Sequence, residues 1–164
     1  MRFKYSRENK PIGEFILILI AQNNGQPIKI TLNDVHFPFG MNTNHSIKLD
    51  ILDMGNYDTH KAIDLIDYLD TECVAAVSDL LGYSVTLNKK KVVMKRNFVP
   101  NVLAHIHYKG KHLMTDIVQY KGLPIAVSEL KGYRASLDLE INTLWIKNKT
   151  VYGKWKINKI KLKM

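Results

Sequence analysis

Lysines and aromatic rings occur together in the last 32 residues, Tyr133 to Met164, and these side chains have the clearest chemistry to offer. Thr143-Leu-Trp-Ile146 is followed by the polar turn Lys147-Asn-Lys-Thr150 and by Val151-Tyr-Gly-Lys-Trp155, after which lysines recur at 156, 159, 161 and 163. A flat ring stacks on an unpaired base, and a lysine beside it neutralises the neighbouring phosphate, so the combination suits single-stranded nucleic acid. Two plainer roles fit the same residues. Trp145 and Trp155 can be core, and lysines on an exposed strand can serve only to keep its edge soluble.

Other chemistry is harder to assemble. His105, His107 and His112 have the type of zinc ligands, and the first two point to one side of a strand, but no cysteine pair or HExxH motif supplies the remaining ligands. They read as exposed strand histidines near lysines. Asp58, Asp64, Asp67 and Asp70 lie in a helical pattern and lack the alternating loop spacing of a calcium site. Asp116, Glu129, Asp138 and Glu140 are too scattered in sequence to indicate a two-metal nuclease; convergence in space would favour one. No phosphate-cradling glycine loop is present, so the expectation is a non-enzymatic protein with no cofactor and no metal.

Charge is segregated along the chain. Residues 1 to 82 hold 7 Lys and Arg against 11 Asp and Glu, a net of −4, whereas residues 83 to 164 hold 17 against 4, a net of +13. Solubility alone would be served as well by an even distribution, so the asymmetry favours a polyanionic partner. No basic amphipathic helix is present to lie on a membrane, and the apolar run Phe15 to Ala21 is too short to span one. Cys73 is the only cysteine and sits in an apolar helical pattern, which suggests a buried thiol in a reducing, intracellular compartment.

The elements that must position these residues follow from periodicity. Met1 to Gly13 reads as a basic arm, and residues 14 to 164 as a single domain. Glu14 to Gln22 is an apolar strand of the kind covered on both faces, with Ile28 to Leu32 as its hairpin partner across Asn23-Asn-Gly-Gln26. Phe37-Pro-Phe-Gly40 is an aromatic turn whose rings either stack on bases or plug a barrel end. Ser46 to Leu52 alternates as a strand. From Tyr57 to Leu81, Ile63, Ile66, Leu69, Cys73, Val77 and Leu80 form a helical stripe, with Asn56 or Asp58 as the cap and Gly82 as the stop. Strands follow at Tyr83 to Leu87 and Lys91 to Arg96 around Asn88-Lys-Lys-Lys91, and Asn101 to Tyr108 pairs with His112 to Tyr120 across Lys109-Gly-Lys111.

Near the C-terminus, Leu137, Leu139 and Ile141 share one strand face. In the last strand Val151, Gly153, Trp155 and Ile157 share a parity, and Ile160 and Leu162 take the other, which predicts a bulge near Asn158 and a core role for Trp155. Trp145 is then the better stacking ring. Seven to nine strands with one long amphipathic helix predict a mainly β protein, an OB-fold-like Greek-key barrel.

The order Phe37-Pro-Phe-Gly40, strand, helix, Asp116-Ile-Val-Gln119, Leu123-Pro-Ile125, Leu130-Lys-Gly-Tyr133 and Thr143 to Ile160 resembles the single-stranded DNA-binding proteins of large eukaryotic DNA viruses, which are related to replicative proteins of podophages. The resemblance covers most of residues 35 to 164 and is strong only from Lys131 onward. It implies an oligonucleotide-binding fold and a role in coating viral DNA unwound during replication or recombination, in the host cytoplasm or nucleus. It places Trp145, Lys147, Tyr152, Lys154 and Trp155 in the wall of the binding barrel. The phage members end in an acidic tail that recruits partners. This sequence ends in Lys161-Leu-Lys-Met164, so recruitment through such a tail is not expected.

The expected contact set is Lys89, Lys90, Lys91, Lys95, Arg96, Arg134, Trp145, Lys147, Lys149, Tyr152, Lys154 and Lys156. The expected partner is single-stranded DNA, with RNA as the other polymer that stacking and phosphate contact would serve. Replication proteins or further copies of the chain are the protein partners to be considered. The competing reading is a barrel that binds another protein through its sheet edge and no nucleic acid.

Overall fold

The structure, a computed structural model, describes residues 3–8, 13–93, 99–118 and 125–163. In chain order the elements are β1 (Phe3–Arg7), β2 (Ile16–Gln22), β3 (Ile28–His36), β4 (Ser46–Ile51), α1 (Tyr57–Leu81), β5 (Thr86–Leu87), β6 (Val92–Val93), β7 (Asn101–Ile106), β8 (Tyr108–Lys109), β9 (His112–Leu113) and β10 (Asp116–Val118). A 3-10 turn at Val127–Glu129 leads into β11 (Arg134–Ile141), β12 (Thr143–Lys147), β13 (Thr150–Gly153) and β14 (Lys156–Lys163).

Five strands close on themselves. β3 pairs with β4, β4 with β7, β14 with β11 and β11 with β3, all antiparallel, and the ring is completed by a parallel pairing of β7 with β14. The protein is therefore mainly β, a closed Greek-key barrel of the oligonucleotide-binding type with one long helix among the described residues. Alternation dictates what fills it. Ile28, Ile30, Leu32, Ile47, Leu49, Val102, Ala104, Leu137, Leu139, Ile157 and Ile160 point inward and are buried, while the residues between them face out.

The last strand keeps its apolar side chains inside by a bulge. Asp138 pairs with Lys159 and Leu139 with Ile157, which leaves Asn158 as the extra residue. The slip by one residue returns Ile160 and Leu162 to the face already occupied by Ile157.

The helix forms where its stripe requires. Asn56 caps it, accepting hydrogen bonds from the Asp58 and Thr59 amides at 2.9 and 3.3 Å, and Gly82 stops it at φ 78° with its N–H donated to the Ser78 carbonyl. Ile63, Ile66, Leu69, Cys73 and Val77 are buried against the sheets, whereas Leu80 is exposed. Burial pushes the Cys73 thiol up to about 12, so at neutral pH it is an inert, protonated core group. No helix among the described residues is long and apolar enough to cross a membrane.

A second sheet, in the order β1-β2-β12-β13-β5, carries the chain's N-terminus and the excursion between the fourth and fifth barrel strands. Two expected strand pairings are corrected here, and part of the N-terminal arm is a strand. Residues 3 to 7 of the expected arm are an edge strand, held to α1 by a 2.9 Å hydrogen bond from the Tyr5 hydroxyl to Glu72. β2 does not pair with β3; it lies between β1 and β12, because the Asn23–Gln26 turn hands the chain from one sheet to the other. β7 pairs with β4, β6 and β14, and only the short β8–β9 hairpin spans Lys109-Gly-Lys111. Of the two phenylalanines in the aromatic turn, Phe37 is fully buried and Phe39 is 60% exposed, so only the first is a plug.

The β12–β13 turn stores a correctable strain. Asn148 and Lys149 both have positive φ, 50° and 61°, the requirement of a two-residue turn that glycine meets best at its second position. Lys149→Gly is expected to stabilise the fold by about 0.5–1 kcal/mol. The check is a higher urea midpoint at unchanged slope; an unchanged or lower midpoint contradicts it.

Candidate nucleic-acid interface

The β12–β13 hairpin has an inner and an outer face. Leu144, Ile146, Val151 and Gly153 point inward, and a Cβ on Gly153 would meet a Leu144 methyl at 3.0 Å, so glycine lets the hairpin press onto the core. The opposite parity brings Trp145 and Tyr152 outward, directly across from each other in the ladder, with Leu17 of β2 on the other side of Trp145. Both rings are partly buried and line a surface groove.

Lysines frame the rings. The Lys154 ammonium lies 5.8 Å from the centre of Trp145, Lys147 lies 5.5 Å from Phe15, and Lys149 lies 5.8 Å from Tyr83. Phe15, Trp145, Lys147, Tyr152 and Lys154 together line a groove of about 540 Å³. Glu14 sits at its margin, with a carboxylate oxygen 3.1 Å from the Lys147 ammonium.

From Lys154 the positive region continues onto the barrel. β5 pairs in parallel with β13 and the Asn88 amide bonds the Val151 carbonyl, which brings the lysine turn alongside. His105, on β7, has a buried Nδ1 with no hydrogen-bond partner among the described residues. Burial, then the charges of Lys154, Lys91 and His45, push its pKa down from 6.5 to about 4. Such a histidine is neutral at physiological pH, chiefly because it is buried and secondarily because cations surround it. Beside it, the rings of His45 and Tyr108 lie 4.2 Å apart.

Compared with models of protein families and with curated proteins, the chain matches none. The reading of this surface rests on its own geometry.

That geometry divides the expected contact set. Trp145, Lys147, Tyr152 and Lys154 share the groove, Lys149 stands at the hairpin turn, and Lys156 begins β14 between His105 and Glu140 in register. The three consecutive lysines diverge. Lys89 is exposed, Lys90 is 3.7 Å from Asp67, and Lys91 is only 6% exposed, with its amide bonded to the buried Asp70 carboxylate at 2.8 Å. Lys91 is therefore removed from the contact set. Burial lowers its pKa while Asp70 raises it, and burial comes first. Arg134 is removed as well: it lies at the far end of β11 and its guanidinium is engaged by both Asp34 oxygens. Lys95 and Arg96 lie outside the described residues.

Sequence reasoning missed Phe15, His45 and Tyr108 as parts of one surface, and His105, expected as an exposed strand histidine able to contact phosphate, has its Nδ1 buried instead. The apolar run that forms β2 was expected to be covered on both faces, but Leu19 is 40% exposed, so one face is covered only in part. Asp116 and Asp138 flank Lys159 in register, Asp138 accepts from Thr31 at 2.9 Å, and among the described residues no three His, Cys, Asp or Glu side chains gather as a cation site.

Two predictions arise at this surface. The Glu14 carboxylate occupies Lys147 as a phosphate would, so Glu14→Gln is expected to raise nucleic-acid affinity by about 1.5- to 5-fold at low salt. Weaker binding by that variant would mean instead that Glu14 positions the lysine. The second concerns stability. Because the folded His105 pKa is depressed, the unfolded chain binds the proton first as the pH falls, so its contribution is complete above pH 6.5 and is lost on the way down to about pH 4. His105→Gln is expected to lessen the fall in urea midpoint across that window; a variant profile parallel to the wild type contradicts the assignment.

Proposed function

We propose that the protein binds single-stranded DNA without sequence preference, in a non-catalytic role, and coats DNA unwound during viral replication or recombination. The observation that carries this reading is the Trp145–Tyr152 pair, half-open on the outer sheet face between Lys147 and Lys154. Stacking on such rings contributes about 1–3 kcal/mol per base and accepts any base, since every base has a flat face. The groove offers few directed donors or acceptors with which to distinguish one base from another. The cations supply the rest by displacing counterions from phosphate. A barrel whose excursion between the fourth and fifth strands carries these residues is a scaffold suited to oligonucleotides.

Fluorescence anisotropy with labelled single-stranded DNA, duplex and RNA across a salt series tests the reading. With Lys89, Lys147, Lys149, Lys154 and Lys156 at the phosphates, log affinity is expected to fall against log salt with a slope of about −3.5 for the single strand. Duplex bound as tightly as single strand would remove the stacking mechanism. RNA bound more tightly than DNA would reassign the polymer. An absence of binding at low salt would leave the sheet face as a surface for another protein.

A further inference from the structure

The β8–β9 hairpin is unlike the other paired strands in that, among the described residues, its two strands pair only with each other. Its base is clamped. The Thr115 hydroxyl accepts from the His107 amide at 2.9 Å and donates to the Ile157 carbonyl of β14 at 2.6 Å, and the Met114 amide bonds the His107 carbonyl at 2.7 Å. Beyond the clamp every residue from Lys109 to Met114 is exposed, including Leu113 at 42% and Met114 at 48%. A two-stranded ribbon in water has little stability of its own, and these side chains do not bury apolar area to add to it.

The two faces of the ribbon differ. Tyr108 and Leu113 are directly opposite, so they share a face; Tyr108 packs partly against the core, and the exposed His45 ring lies on it with centroids 4.2 Å apart. Lys109 and His112 form the other pair, and Lys111 is at the tip beside Gly110, whose φ of 62° makes the turn. No acidic residue occurs from His107 to Met114. An apolar patch with Lys109, Lys111 and His112 beside it and no carboxylate on the ribbon itself fits a base-pair face with phosphates around it better than it fits a protein surface. The location agrees: the His105 amide bonds the Trp155 carbonyl and the Ile106 amide bonds the His45 carbonyl, both at 2.9 Å, so the hairpin that follows β7 leaves the barrel close to the connection carrying Lys154, whose ammonium lies over the Trp145 ring.

We propose that this hairpin meets the duplex where single strand passes into double strand, with Leu113 and the His45 ring, which is backed by Tyr108, covering the exposed face of the first base pair and Lys109 and Lys111 against its phosphates. The proposal rests on the single-strand reading and adds a second substrate element, the junction. It assigns the protein a preference for tailed duplexes over free single strands.

The test is anisotropy with the full chain on three labelled probes: a single-stranded tail, the same tail joined to a short duplex in either polarity, and the blunt duplex. The expected result is that one tailed duplex binds at least about fivefold tighter than the tail alone, and that Leu113→Ala with Lys111→Ala abolishes this difference while leaving tail affinity unchanged. Both positions are exposed, so the fold is not at risk. Equal affinity for tail and tailed duplex in the wild type overturns the junction proposal and leaves single-strand binding standing. Loss of tail affinity in the double variant overturns it too, because the hairpin would then be part of the general groove. Failure to bind the tail at all overturns both.

Discussion

Trp145→Ala is expected to weaken single-stranded DNA binding by about 1–3 kcal/mol, roughly 5- to 150-fold, with little change in thermal stability. The ring stands on the outer face of its strand, between Tyr152 and Leu17 and under Lys154, so its truncation removes a stacking surface and leaves the core as it was. Trp145→Phe keeps a flat face and is expected to retain much of the affinity. Binding by Trp145→Ala at wild-type strength would show that the nucleic acid does not use this groove. The salt slope supplies a control: removing a ring lowers affinity at every salt concentration, whereas removing a cation such as Lys154 reduces the slope itself.

Trp155→Ala, ten residues on, is expected to do the reverse. Trp155 is 1% exposed and belongs to the main core, so the change leaves a large cavity and costs about 3–5 kcal/mol of folding stability. Against a typical total of about 5–15 kcal/mol, much of the chain would approach unfolding at 37 °C. Its carbonyl also receives the His105 amide at 2.9 Å, so a displaced residue 155 would loosen β7 next to the proposed binding surface. Urea denaturation measures the cost; a loss below about 1 kcal/mol would contradict the burial. Because these are the only two tryptophans, Trp155→Phe leaves Trp145 as the sole indole reporter, and its emission is expected to be quenched when single-stranded DNA is added. Trp145→Phe should show no such quenching.

Much of the fold was legible from local pattern. Alternation assigns Leu137, Leu139 and Ile141 to one face, places Trp155 inward and requires an extra residue near Asn158, because a period of two leaves no other way to keep Ile157 and Ile160 inside together. The helix and its caps follow from a stripe at spacings of three and four. Less of the site was legible. Composition marked a basic second half, but charge along the sequence does not specify charge in space. Lys89, Lys90 and Lys91 are adjacent in the chain, yet helix carboxylates at Asp67 and Asp70 draw two of them away from the groove. Arg134 is held by Asp34, a hundred residues earlier in the chain.

The sequence by itself determined which residues share a face in the alternating strands such as β11 and β14, since side-chain direction is a property of the local backbone and apolar side chains must be buried. The tertiary structure alone decided which strands lie side by side. Phe15 reaches Lys147, and His45 reaches Tyr108, through contacts between segments far apart in the chain, and no local periodicity carries that information. The groove is made of those lateral neighbours, so its residues were visible in sequence only where one hairpin supplied them.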